Sequence, residues 1–480
     1  MTETVEATDQ VDGPRIFGRW AFWPLLVGAV SITAGLAFGY DQGVIGGALT
    51  FMAEEFGFGS FVEGLITSWV TMGALFGALA GGSFADRFSR KRALIFAAWL
   101  FMIGALVQAF APTVLVLIIG RFVIGFGVGI ASVAAPMFVA ESAAPDIRGR
   151  LVSGYQLAIT IGILFAQLAD YILSESGTWR LMVGLAAVPG LLLLIVMTPA
   201  LHSPRWLVSV GRVEDARDAL SKYRGPTVDT DAQIAEIEEN LADEPESNWG
   251  DLFVGGARRA LTIAVGLALF QQITGINAII YYSNEILADA GFNDASSQAG
   301  ASLVSVGCVN VAATFIALAF VDRLGRRPLL IAGMSGMLLG LVGLSVTFLY
   351  EAQPDNTNTI VGSLSVIWMV VFIASFAFSL GPVVWTIISE VFPNHIRAKG
   401  MSLATAVNWG AAFLLTLVFP DLIDAIGNSA TFAILAVLTV IALGWTWAKV
   451  PETKGKSLEE IADMFERDEL DVPRPSTPAK

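Results

Sequence analysis

Two short segments decide how this chain folds: DRFSRKR at Asp86–Arg92 and DRLGRRP at Asp322–Pro328. Each is a knot of cations placed directly after an apolar run, and each closes the second such run in a block of six. A second pair of markers falls at matching places. ESAAPDIRGR (Glu141–Arg150) and SEVFPNHIRAK (Ser389–Lys399) both set a Glu seven residues before an Arg, Glu141 to Arg148 and Glu390 to Arg397, with a proline between. These close the fourth run of each block. The chain therefore reads as a parallel duplication of six elements.

Composition says what those elements are. Of the 480 residues, 55% are hydrophobic and 15% charged, against about 25% charged in an ordinary soluble chain. Apolar runs recur at 21–46, 63–85, 93–111, 113–138, 151–173, 180–200, 260–287, 299–321, 328–350, 361–389, 398–421 and 429–448. A run of about 20 residues crosses roughly 30 Å of hydrocarbon as a helix. The fold class is an all-α membrane protein with twelve transmembrane helices in two six-helix bundles. The expected organisation is a tail at 1–20, a first bundle at 21–200, a polar helical linker at 201–259, a second bundle at 260–448 and a tail at 449–480. Within the linker, VEDARDALSKYR and DAQIAEIEENLA both have the apolar spacing of short amphipathic helices.

The acidic stretch MTETVEATDQVDG precedes the first run, which thus lacks the basic flank of a cleavable signal. The single cysteine, Cys308, excludes an intramolecular disulfide and reads as a small core residue. The net charge of −14 sits mostly in tails and loops and does not suggest a nucleic-acid partner. Lys and Arg gather on one side, at Arg87, Arg90, Lys91, Arg92, Arg148, Arg150, Arg323, Arg326, Arg327, Arg397 and Lys399. The opposite connections carry Glu54, Glu55, Glu63, Asp289, Asp294, Glu351, Asp355, Asp421 and Asp424. The basic side is expected to be cytoplasmic, with both termini there. Glycines at four-residue spacing, Gly73, Gly77 and Gly81 on the second helix and Gly125 and Gly129 on the fourth, suit close helix packing.

Duplicated six-helix bundles are a transporter architecture, with the substrate site between the halves near the midplane. The polar residues inside the runs bear on that site. FGYDQGVIGG (Phe38–Gly47) places Asp41 inside the first helix, and IIGRFVIGFGVG places Arg121 inside the fourth. At 1.5 Å per residue both lie about 10 Å below the acidic surface, so an ion pair is geometrically possible. An intramembrane ionisable pair is a functional hypothesis by default; the other readings are a structural pair, or a first helix that ends early and leaves Asp41 at the interface. A carboxylate approached by Arg in one conformation and left by it in another would carry protons.

The second polar cluster is uncharged. The seventh helix reads FQQITGINAIIYYSNE, with Gln271, Gln272, Asn277, Tyr281 and Tyr282; Gln156, Asn310, Trp385, Asn408 and Trp409 lie on the fifth, eighth, tenth and eleventh helices, and Phe38 precedes Asp41. Amides exchange hydrogen bonds with hydroxyls, and aromatic faces stack on a sugar ring. Such a set fits a neutral polyol better than an ion or a peptide, although single amides also join helices together. Gly381–Pro382 removes a backbone donor and predicts a break beside Trp385. Asp86, Arg90, Glu141, Arg148, Asp322, Arg326, Glu390 and Arg397 cap the basic face, where pairs among them could clamp it shut.

Taken together these segments resemble the sugar-porter branch of the major facilitator superfamily. The matching pieces are GYD at Gly39–Asp41, GRFVIGFGVG at Gly120–Gly129, IRGR at Ile147–Arg150, SPRWL at Ser203–Leu207, QQITGIN at Gln271–Asn277, DRLGRRP at Asp322–Pro328, GPVVW at Gly381–Trp385 and PETKG at Pro451–Gly455. The resemblance implies alternating access, sugar contacts at Gln156, Gln271, Gln272, Asn277, Asn310, Trp385 and Asn408, and a proton carrier at Asp41 with Arg121 as partner. It departs at Ser89, where the family has Gly, and at Ala200–His202, which lack the usual acidic residue before SPRWL. The expected function is proton-coupled import of a monosaccharide or polyol across a plasma membrane, bacterial by the absence of Asn-x-Ser/Thr sites in the outer loops, by a monomer. The energy source is the proton gradient, with no cofactor or metal. Rival readings are a uniporter of the same fold and a transporter-like sugar sensor; an enzyme is disfavoured because no nucleophile–base constellation is present.

Overall fold

The computed structural model describes residues 22–225, 228–242, 248–351, 358–456, 460, 461 and 464, with backbone alone at 321, 322, 351, 358, 359, 394 and 395. The tail at 1–20 and Asp355 lie outside the described residues. All regular structure among the described residues is helical. Among the described residues, eleven helices are long and apolar enough to cross a membrane. The last, Asn394–Lys449, turns a corner at Gly427 (φ 80°, ψ 163°), a left-handed conformation that glycine adopts without a Cβ clash. It therefore makes two spans, and the count is twelve.

The first span runs Phe22–Phe56, ten residues past the apolar run, because no helix breaker intervenes before Gly57 (φ 64°). Asp41 thus sits in mid-helix, which removes the early-ending alternative. The second to fifth spans are Ser60–Phe88, Arg90–Ala109, Val114–Ser142 and Pro145–Leu173. The sixth is interrupted, Trp179–Gly184 then Ala187–Met197. The seventh comes in three pieces, Gly255–Ile273, Ile276–Tyr281 and Ser283–Asp289. The eighth contains a π-helical turn at Leu303–Cys308. Cys308 is exposed on that turn, not a core residue. The ninth span is Arg326–Glu351.

The tenth span breaks between Asn358–Phe378 and Leu380–Glu390, at Ser379. Proline has no N–H for the carbonyl four residues back and its ring crowds that carbonyl. For Pro382 that carbonyl belongs to Phe378, so the break falls just before the Gly-Pro pair. The linker forms Pro204–Ser209, Val213–Arg224 and Thr230–Ala242. It docks through Tyr223, whose hydroxyl donates to the Leu201 carbonyl at 2.8 Å and whose ring meets Trp23 and Phe138 edge-on.

Within the first half the first span lies along the fifth, the second along the fourth, and the third against the fourth and sixth. The halves meet where the second span lies along the eleventh, the fifth along the eighth, and the first touches the seventh. Glycine sets these distances. A Cβ at Gly125 would fall 2.0 Å from the Val70 carbonyl oxygen, one at Gly77 2.2 Å from that of Phe126, and one at Gly39 1.9 Å from that of Ile159.

The duplicated basic loops share one backbone shape built with different chemistry. Gly325 turns at φ 92° and ψ 159°, beside the Glu452 carboxylate, which accepts the N–H groups of Arg326 and Arg327 at 3.0 and 3.1 Å. In the first half Ser89 takes φ 89° and ψ 148° at the same place, and its hydroxyl bonds His202 Nδ1. The two departures from the sugar-porter pattern are thus each other's partner. Partial burial, then Lys91, Arg92 and Arg212, hold His202 down at about 4, so it is neutral at pH 7.

Two outcomes are expected. Gly125→Leu should lower the melting temperature of the detergent-solubilised protein by an overpacking cost of about 1–3 kcal/mol or more. Gly444→Ala, where a Cβ meets nothing within 4 Å, should be neutral or stabilising by up to about 1 kcal/mol. His202 is held below its unfolded value near 6.5, so its protonation favours the unfolded chain. Stability should fall as pH drops from about 6.5 towards 4, and less steeply in His202→Asn, as read by melting curves at each pH.

Candidate functional site

Asp41 and Arg121 meet in the middle of the first half. Arg121 Nη1 donates to Asp41 Oδ1 at 2.9 Å, with side chains 0% and 2% exposed respectively. The guanidinium also donates from Nε to the Ile66 carbonyl at 3.1 Å and from Nη2 to the Thr67 carbonyl at 3.4 Å. One side chain of the fourth span therefore ties together the first and second. A buried ion pair is tolerable only when its remaining polar atoms find partners, and here the second span's backbone supplies them.

Two connections lead from this pair to the other half. The Thr67 hydroxyl bonds the Tyr282 hydroxyl, which donates onward to the Thr416 carbonyl at 2.9 Å. Gln42, next in sequence to Asp41, donates from Nε2 to Asn277 Oδ1 at 3.3 Å. From there an unbroken chain of amides follows. Asn277 donates to Gln272 Oε1 at 2.8 Å, Gln272 to Asn408 Oδ1 at 3.1 Å, and Asn408 to Gln271 Oε1 at 2.7 Å. Gln271 donates to the Leu380 carbonyl at 2.9 Å, and so reaches the segment just past the tenth-span break. Lone unpaired amides buried here would be costly; in a chain each partners the next.

The structure brings together Asp41, Arg121, Gln271, Gln272, Asn277 and Asn408. Phe38 and Trp409 pack ring to ring across the halves, 5.5 Å between centroids. Tyr281 is buried on the middle piece of the seventh span. Gln156 and Trp385 are partly exposed; the Gln156 amide nitrogen lies 3.7 Å from where a Cβ on Gly381 would be. Asn310 is buried in the eighth span, but among the described residues no hydrogen bond links it to the amide chain. Gln42 and Thr67 are additions to the sequence reading, and Tyr282, named there within the seventh-helix cluster, gains a defined partner in Thr67. Gln42 stood inside the GYDQG segment that flagged Asp41; Thr67 carried no signal, because its role depends on a neighbour from the other half.

At the basic face ion pairs do form among the charges named in the sequence, each within one half. Arg90 pairs with Asp86 and Glu141 at 2.9 and 3.0 Å, within the first half. Arg326 pairs with Glu390 at 3.2 Å, within the second. Arg397 donates to the Phe392 carbonyl at 3.1 and 3.2 Å. Arg148 Nε has no hydrogen-bond partner among the described residues, and the Asp322 side chain lies outside them. Contacts that join the halves from mid-span towards the acidic end include Phe38–Trp409, Thr67–Tyr282, and Ser60 donating to Asp421 at 2.6 Å. These contacts hold the two halves together on the acidic side.

Comparison with known proteins gives the family. The family of sugar (and other) transporters matches residues 27–465, and the chain belongs to that family. Its fold is that of the major facilitator superfamily, and it is a multi-pass membrane protein. It is 38% identical over 430 residues to the galactose-proton symporter of Escherichia coli (strain K12), covering 89% of this chain and 91% of that one. It is 35% identical over 449 residues to the arabinose-proton symporter of Bacillus subtilis (strain 168), covering 92% and 95%. Among solved structures it superposes on a partially occluded inward-open form of the xylose transporter XylE from E. coli. The TM-score is 0.79, with 31% identity over 91% of this chain and 100% of that one.

Removing one partner of the buried pair should be worse than removing both. Arg121→Leu is expected to destabilise by about 3–5 kcal/mol, because Asp41 remains as a lone buried charge. Arg121→Leu with Asp41→Asn should recover much of that loss, as read from thermal unfolding in one detergent.

Proposed function

We propose that this chain imports a monosaccharide, a hexose or pentose, or a related polyol, together with a proton, by alternating access across a bacterial inner membrane. The basic face and both termini are cytoplasmic in this reading, the acidic end is external, and a monomer carries out the cycle. The observation that carries it is the Arg121–Asp41 pair linked through Gln42 to a chain of uncharged amides.

The mechanism follows from the hydrogen bonds. A carboxylate that loses its guanidinium in this buried place must take up a proton or move to water. Protonation of Asp41 removes the reason for Arg121 to hold it, so the first span is freed from the fourth. Gln42 moves with Asp41, and the amide chain beyond it loses a member. Sugar hydroxyls, which both donate and accept, can replace the amide–amide bonds one for one. Ligand binding and proton binding thus act on the same side chains. The Phe38 and Trp409 rings, one from each half, suit the apolar face of a sugar and separate only when the halves part. The named substrates of the relatives, galactose and arabinose with a proton, support this reading.

One proton crossing 100 mV is worth about 2.3 kcal/mol, enough for roughly a fifty-fold gradient of a neutral solute. Asp41→Asn in proteoliposomes should therefore abolish uphill accumulation and leave sugar counterflow intact. Accumulation that persists would remove Asp41 from coupling and leave a uniporter with another role for the pair. Gln272→Ala should weaken sugar binding about tenfold, a cost of about 1.4 kcal/mol; unchanged affinity in equilibrium binding would take Gln272 out of the site.

A further inference from the structure

Two buried groups take no part in that scheme. Asp170 and Gln167 lie one turn apart near the acidic end of the fifth span, 3% and 2% exposed. Asp170 Oδ2 accepts the Gly47 backbone N–H at 3.2 Å. Among the described residues its Oδ1 has no partner, and neither does either amide atom of Gln167. The carboxyl fits because the first span offers a glycine there: a Cβ on Gly47 would lie 2.3 Å from Asp170 Cγ. Gln167 faces the other half, where a Cβ on Gly307 would lie 2.9 Å from its Oε1. Gly307 belongs to the π-turn of the eighth span, an irregularity frequent at functional sites.

The surroundings offer no counter-charge. Tyr40 of the first span lies within electrostatic reach of Asp170 and donates its hydroxyl to the Met182 carbonyl at 3.0 Å. Tyr171 of the fifth span packs against Gly300 of the eighth, and Cys308 ends the π-turn. Asp41, about 9 Å further along the first span from Gly47, is occupied by Arg121. Among the described residues no cation pairs with Asp170. A carboxylate with neither cation nor water is strongly disfavoured, whereas the neutral acid is tolerated and converts the unmatched Oδ1 into a donor.

Resting on the alternating-access reading above, we propose that Asp170 binds a gating proton at the seam of the fifth and eighth spans. The carboxylate takes up one proton from the external side when that seam closes, and returns it to water when the seam parts. This proton is separate from the one carried by Asp41; it lets external pH bias the outer gate.

The test reads gate opening, so it succeeds or fails independently of sugar–proton coupling. Gly300→Cys is made with Cys308→Ser and Asp41→Asn, reconstituted in liposomes, and labelled from outside with a membrane-impermeant maleimide between pH 5 and 9. Gly59→Cys, at an open position, corrects for thiol ionisation in the same background. The corrected labelling rate at position 300 should rise by up to about tenfold per pH unit through one titration. With Asp170→Asn it should be low and flat. An equal slope with Asn at 170, or a flat profile with Asp there, overturns the proposal. Should Asp170→Asn not reach the membrane, Asp170→Glu serves: a moved midpoint supports the proposal and an unmoved one overturns it.

Discussion

The structure depends on one buried guanidinium. Arg121 is fully enclosed and makes an ion pair with Asp41 and two backbone hydrogen bonds to the second span. Three spans of the first half are held in register by one side chain, and that side chain keeps its place only while its charge is matched. Few arrangements in a membrane interior are so sensitive to a single proton. Hydrophobic packing alone would hold the same helices together, as the glycine seams show, but it would not respond to protonation.

The sensitivity is transmitted because the pair is wired outward. Gln42 and Thr67 each neighbour a member of the pair, by sequence and by hydrogen bond respectively, and each reaches across to the seventh span. The seventh span is itself broken on either side of Ile276–Tyr281, so that piece can shift without dragging a rigid rod. The tenth-span break adds a second joint, and the segment that follows it is joined to the amide chain through Gln271 and the Leu380 carbonyl. Among the described residues, polar bonds between the halves cluster towards the acidic end, and the Arg90–Glu141 and Arg326–Glu390 pairs of the basic face each lie within one half.

Much of this was legible in the sequence, for reasons that can be located. Span number followed from run length, and the duplication followed from DRFSRKR and DRLGRRP. The Asp41–Arg121 pair was legible as two ionisable residues inside apolar runs, although their equal depth was not, because the first span continues to Phe56; the Gly-Pro break followed from a missing donor. The three-piece seventh span and the π-turn were not legible, because neither contains a proline: the first break of the seventh falls at Gly275 (φ 101°), beside Leu435 of the same half, and the π-turn faces Gln167 and Leu164 of the other. The extra length of the first span escaped an apolar count because helix persists through polar Glu54 and Glu55 until Gly57. The basic-face charges were identified as helix ends, but which of them pair depends on the conformational state. Ser89 and His202 each looked like an isolated departure; only the fold shows them in contact, a serine–histidine version of the Gly325–Glu452 loop in the other half.

The most direct measurement of the central claim is proton movement driven by sugar alone. Purified protein would be reconstituted in lightly buffered liposomes, and sugars from a panel that includes galactose, arabinose and xylose added outside without any imposed gradient. The account predicts that the external medium turns alkaline as a transported sugar enters, and that Asp41→Asn abolishes the change while sugar still exchanges. Sugar entry with no accompanying proton uptake would contradict it.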